Sequence, residues 1–120
     1  MKSVEERRRY PRFEAPLSAE FKTARSVGDY ALGMVRDFSR NGCRLIAKGI
    51  DANRNTPVEI KLQMPDQDCF VSIWGDVLWV KDIEGSAQAG VEFKSIDPGV
   101  KWEVLEYAYD RWRQKQRQAV

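Results

Sequence analysis

The sequence predicts a mainly β chain: a small antiparallel β-barrel with one α-helix at its C-terminal end. Three observations predict it. Short segments with apolar residues at alternate positions recur between residues 17 and 93. Clusters of Gly, Pro, Asn, Asp and Ser separate them. Past residue 97 the apolar period lengthens from two to that of a helix.

The elements follow in order. "LSAEFK" (17–22) is a short strand and "SVGD" (26–29) a turn. "YALGMVRDFS" (30–39) reads as a second strand, with Leu32, Met34 and Arg36 on one face. "GCRLIAK" (42–48) alternates Cys43, Leu45 and Ala47 with Arg44, Ile46 and Lys48. "GIDANRNTP" (49–57) is a loop. "VEIKLQM" (58–64) points Val58, Ile60, Leu62 and Met64 inward. "PDQD" (65–68) turns the chain, and "CFVSIWGDVLWVKD" (69–82) is a long strand interrupted by Gly75. A glycine there predicts the bulge or bend that closes a barrel. "IEGSAQ" (83–88) reads as a turn and "AGVEF" (89–93) as the last short strand, giving five to seven strands. The helix opens on Asp97 as N-cap and Pro98 at its first position. Trp102, Leu105, Tyr109 and Trp112 form one helical stripe, expected in the core or at an interface. The basic last turns suit the helix dipole. The expected organisation is one domain: an N-terminal arm (1–13), a barrel (14–96) and a helix (97–120).

Composition narrows the function. Apolar residues make up 42% and charged residues 32%, which describes a globular chain. No apolar run approaches the roughly 18 residues of a membrane span. "MKSVEERRRY" lacks the apolar stretch of a secretory signal, so a cytoplasmic location is expected, away from the membrane. Cys43 and Cys69 are isolated and expected as free thiols. The absence of histidine removes Ser-His and Cys-His nucleophile pairs and the commonest metal ligand. No phosphate loop and no G-x-G-x-x-G is present. The chain is therefore expected to bind rather than catalyse, with no cofactor and no metal. Its charge is unevenly spread. Residues 1–12 hold five basic residues against two acids, and residues 111–120 hold four with none. The whole is only +2, so the body between is acidic. A duplex-binding domain spreads positive charge over a folded face. This pattern fits a compact anion gripped by one arm.

Two stretches carry the chemistry. "RRRYPR" (7–12) supplies planar guanidinium forks that match phosphate oxygens or the O6/N7 edge of guanine. Arg8 and Arg12 stand four apart, with Pro11 stiffening the segment. "DFSRNG" (37–42) adds Asp37, an acceptor for guanine N1–H and N2–H₂, the hydroxyl of Ser39, and Gly42, which permits tight turning and close backbone approach. Together these groups describe a guanine-nucleotide site.

At these residues the sequence resembles the PilZ domain family. "RRYPR" (8–12) is similar to the family's R-x-x-x-R motif and "DFSRNG" to its [D/N]-x-S-x-x-G motif. "WGDVLWV" (74–80) looks like its Gly-x-Val-x-Trp strand, and "AGVEF" like its Gly-Val-x-Phe strand. The resemblance implies a bacterial six-stranded barrel that binds the second messenger cyclic di-GMP, in one or two copies. It implies that Arg8 and Arg12 grip a phosphate and a guanine, that Asp37 and Ser39 read a guanine, and that Gly42 shapes the loop. Arg7 and Arg9 are additional cations, with Arg7 favouring a stacked ligand pair, and Arg40 can stack on a base. Trp74 or Trp79 can line the cleft. The implied mechanism is ligand-driven ordering of the arm against residues 37–42. That change alters a surface for an unidentified protein partner in second-messenger signalling, with a motility, biofilm or virulence output. A monomer or homodimer is expected, and no nucleic acid. Two other classes remain: a protein-interaction adaptor whose motifs are vestigial, and a small nucleic-acid-binding barrel that uses the same arginines on a phosphate backbone.

Overall fold

The computed structural model describes residues 13–65 and 67–118. Six strands, β1 (Phe13–Thr23), β2 (Ala31–Phe38), β3 (Gly42–Ala47), β4 (Pro57–Gln63), β5 (Phe70–Ile83) and β6 (Ser86–Ser95), precede one helix, α1 (Pro98–Gln118). The strands close in the order β1-β2-β3-β6-β5-β4, and every pairing is antiparallel. Closure leaves no free sheet edge. The six-stranded antiparallel barrel with a C-terminal helix is the fold the sequence led us to expect.

Alternation fills the interior. Cys43, Leu45 and Ala47 of β3, and Val58, Ile60 and Leu62 of β4 followed by Met64, all point inward as their spacing predicts. Each buried Leu, Ile or Val side chain contributes about 1.5–3 kcal/mol relative to exposure. Gly75 does sit at an irregularity: the β5–β6 register shifts between Trp74 and Gly75. A Cβ at Gly75 would strike the Glu92 carbonyl, so only glycine lets the strands approach there.

Leu32, Met34 and Arg36 do share one face of β2, and it is the exposed one; Val35 and Phe38 are buried. A register shift between Val35 and Asp37 brings both inward, and Gly33 occupies the inward position ahead of them against the Phe21 ring. Two expectations need correction, and the first is that residues 83–88 are not a six-residue turn. β5 runs to Ile83 and β6 begins at Ser86, joined by Glu84 and Gly85 with φ of 48° and 83°. Two consecutive left-handed residues make the tight hairpin that matches strand twist.

The second correction concerns α1. Asp97 caps it as expected, its Oδ1 accepting from Gly99 N at 2.8 Å and Val100 N at 3.1 Å. The face docked on the barrel is not the aromatic stripe. Val104 and Ala108 are fully buried, with Val100 and Tyr107 partly so, while Trp102, Tyr109 and Trp112 are exposed and Leu105 is half-buried. Small residues let the helix axis approach the barrel closely; the aromatics flank that contact. Phe13 of β1 meets Tyr109 edge-on at 6.2 Å and Trp112 at 6.3 Å. Lys115 Nζ reaches Glu14 Oε2 at 2.5 Å, pinning the C-terminal turns to the start of β1. This contact holds the Glu14 carboxyl below its ordinary value, with Arg36 and Arg111 adding to the effect.

Candidate functional site

The strand registers bring one residue from each of five strands into a row around the outside of the barrel. Glu14 lies opposite Asp37, Asp37 opposite Arg44, Arg44 opposite Gly90, and Gly90 opposite Trp79. At about 4.8 Å per strand the row spans roughly 19 Å. It begins one residue after Phe13, where the described chain starts.

Asp37 sits at the register shift between β2 and β3. Its Oδ2 accepts from Arg44 Nη2 at 2.6 Å, and the two side chains are 15% and 27% exposed. A charge-assisted contact this short, partly shielded from water, fixes the carboxylate's orientation. Arg44 Nη1 donates to Gln88 Oε1 at 3.4 Å, and Arg44 Nε is buried without a hydrogen-bond partner. Arg44 thus spans β2 and β6. Trp79 lies at the far end of the row. Its indole occupies the space above Gly90, where a Cβ would collide with it. The Lys81 ammonium stands 5.4 Å from the Trp79 ring centroid.

The turn after Asp37 is built by Ser39 and Gly42. Ser39 is 6% exposed. Its N–H donates to Gly42 O at 2.9 Å, its Oγ donates to the same oxygen at 3.2 Å, and Gly42 N–H donates to Ser39 Oγ at 3.3 Å. The hydroxyl is therefore engaged in closing the turn. Gly42 opens β3 opposite Glu92. A Cβ there would strike the Val91 carbonyl oxygen, so glycine is required for the close passage of β6. Asn41 O accepts from Phe93 N at 2.7 Å and completes the anchorage.

Of the residues read from the sequence, Asp37, Ser39 and Gly42 are brought together. Arg40 lies in the same turn and lines a cavity against α1. Arg7, Arg8, Arg9 and Arg12 lie outside the described residues. Trp79 joins the row. Trp74 does not: it lines a separate cavity with Lys22, Tyr30 and Glu59. There the Tyr30 hydroxyl donates to Glu59, which pushes the phenol above its ordinary value. Sequence reasoning missed Arg44. Its signal was its place two residues after Gly42, on the outward parity of β3. Among the described residues no cluster of His, Cys, Asp and Glu could hold a metal, and no helix is long and apolar enough to cross a membrane.

A closed antiparallel barrel with a capping helix and an outward-facing, arginine-held aspartate defines a class of small barrel domains suited to binding. The chain belongs to the PilZ domain family, whose model matches residues 6–110. Three solved structures are similar to it. Bacillus subtilis MotI/DgrA, an inhibitor of motility, aligns at 18% identity with a TM-score of 0.72, over 96% of this chain and 57% of that one. The PilZ domain of Escherichia coli YcgR, solved with c-di-GMP, aligns at 18% identity with a TM-score of 0.68, over 94% of this chain and 97% of that domain. K. pneumonia MrkH, solved as a c-di-GMP complex, aligns at 19% identity with a TM-score of 0.68, over 93% of this chain and 54% of MrkH. The chain thus spans little more than half the length of MotI and MrkH. No curated protein matches the sequence.

Proposed function

We propose that the chain is a receptor for cyclic di-GMP. The observation that carries the reading is Asp37, on the outer wall of the barrel near the end of β2, with its carboxylate held by Arg44. A carboxylate held in one orientation suits the N1–H and N2–H₂ edge of guanine, because its two oxygens can take both donors at once. Family membership and two c-di-GMP-bound neighbours support the choice of ligand. Arg8 and Arg12, entering just ahead of Phe13, supply the cations for phosphate and for the guanine O6/N7 edge. Arg7 and Arg9 add charge for a second ligand copy. Ser39 and Gly42 act by building the turn, and Trp79 offers an aromatic wall at the end of the row. Ligand capture ties the N-terminal arm to the barrel wall and so changes a surface that a partner protein reads.

Calorimetry of cyclic di-GMP against the full chain tests this. Saturable binding is expected, weakened at least tenfold by Asp37→Asn and by Arg8→Ala. The molar ratio reports one copy or two. A wild-type chain that gives no heat with tens of micromolar ligand would reject the reading. Binding to single-stranded nucleic acid that grows with strand length and collapses with salt would favour the phosphate-backbone class instead.

A further inference from the structure

One cavity beyond the Asp37 row has the chemistry of a base site. About 410 Å³ lies between the start of β1 and the aromatic flank of α1, within the range of small-ligand pockets. Phe13, Trp102, Leu105 and Tyr109 form its apolar walls, and Glu106 and Arg40 bring its two charges.

The barrel does not need these aromatics for docking the helix, since Val104 and Ala108 make that contact. Trp102 is nonetheless left 65% exposed, an unfavourable position for an indole with no task. Tyr109 is held by Phe13, by Trp112, whose ring centroid lies 5.7 Å away, and by the Arg113 guanidinium 5.9 Å from its own centroid, so its ring is fixed at the cavity wall. The two charges are a complementary pair. A carboxylate accepts guanine N1–H and N2–H₂, and a guanidinium donates to O6 and N7. Adenine presents neither pattern. The cavity also adjoins the candidate site. Arg40 belongs to the turn between Asp37 and Gly42, and Phe13 directly follows Arg12 in sequence.

We propose that this cavity is a second guanine subsite. It takes a guanine of the bound cyclic dinucleotide between Trp102 and Tyr109, with Glu106 accepting from N1–H and N2–H₂ and Arg40 donating to O6 and N7. The proposal rests on the receptor reading and adds the recognition of a second base to it.

The test compares cyclic di-GMP with the mixed cyclic GMP–AMP by calorimetry on the wild-type chain, Glu106→Gln and Trp102→Ala. Both side chains are exposed, and thermal melts confirm that the variants fold. The wild type is expected to prefer cyclic di-GMP. Glu106→Gln should bind cyclic di-GMP about tenfold more weakly and lose part of the preference over the mixed ligand, because the carboxylate pairs with the N1–H and N2–H₂ donors that only guanine offers together. Trp102→Ala should weaken both by a similar factor. Wild-type affinities and preference retained in both variants would overturn the subsite while leaving the receptor reading intact. A wild type that binds neither dinucleotide would overturn both. A Trp102→Ala chain of reduced molar mass by light scattering, with ligand affinity unchanged, would make the cavity a contact between two copies and overturn the subsite.

Discussion

Arg44 and Asp37 face each other across the β2–β3 ladder, Nη2 to Oδ2 at 2.6 Å, with the Arg44 Nε–H buried and unpartnered. The pair is drawn together by register alone, seven residues apart in sequence and adjacent around the barrel. Its effect is to present the Asp37 carboxylate in one orientation. Replacing Arg44 with Gln keeps a polar side chain but shortens it and removes the charge. Cyclic di-GMP binding should weaken about tenfold, or about 1.4 kcal/mol. In an Asp37→Asn background the same change should cost little, since Arg44 acts through Asp37. Additive losses in the double-mutant cycle would contradict this.

Gly42 and Gly90 both lack room for a Cβ, but against different obstacles. At Gly42 the obstacle is the Val91 backbone carbonyl, which moves only if β3 and β6 separate. Gly42→Ala should therefore destabilise the fold by about 1–3 kcal/mol in urea denaturation. Gly49 has nothing within 4 Å of its Cβ position, so Gly49→Ala serves as the neutral control. Equal stabilities for the two variants would show that β6 yields without cost.

At Gly90 the obstacle is the Trp79 side chain. An added methyl must push the indole off the outer face, while the Arg44–Gly90 and Gly90–Trp79 backbone pairings can remain. Gly90→Ala should shift the tryptophan emission, leave stability within about 1 kcal/mol of wild type, and weaken ligand binding if Trp79 is a wall of the site. An unchanged affinity with a shifted emission would remove Trp79 from the site.

The sequence made some of this legible and hid the rest for identifiable reasons. β4 could be read because its inward residues are all large and apolar. β2 could not, because its inward position 33 is a glycine whose space the Phe21 ring fills, and a register shift then changes parity before Phe38. The docking face of the helix was not legible, because Trp102, Tyr109 and Trp112 outweigh Val104 and Ala108 in apolar volume. Close packing against a barrel end selects the smaller side chains instead. Within the site, Asp37, Ser39 and Gly42 were visible as neighbours in one short stretch. Arg44, Gly90 and Trp79 belong to three further strands, and only the registers of the closed barrel align them with Asp37.

The contact between Lys115 and Glu14 ties α1 to the root of the N-terminal arm at 2.5 Å, and both side chains are more than half exposed. Its hydrogen bond lowers the Glu14 pKa from an ordinary value of 4.5. A carboxyl depressed in the folded state stabilises the fold above its unfolded value, and the stabilisation is lost as pH falls through the lower folded value. Solvent screening limits the gain to less than about 1 kcal/mol. Lys115→Gln should thus lower the melting temperature slightly at neutral pH. The difference from wild type should shrink below about pH 4.5 and vanish once Glu14 is protonated in both states. High salt should shrink it at any pH, because the pair is open to solvent. A difference that persists unchanged into strong acid would mean that Lys115 stabilises the helix through its aliphatic stem rather than through Glu14.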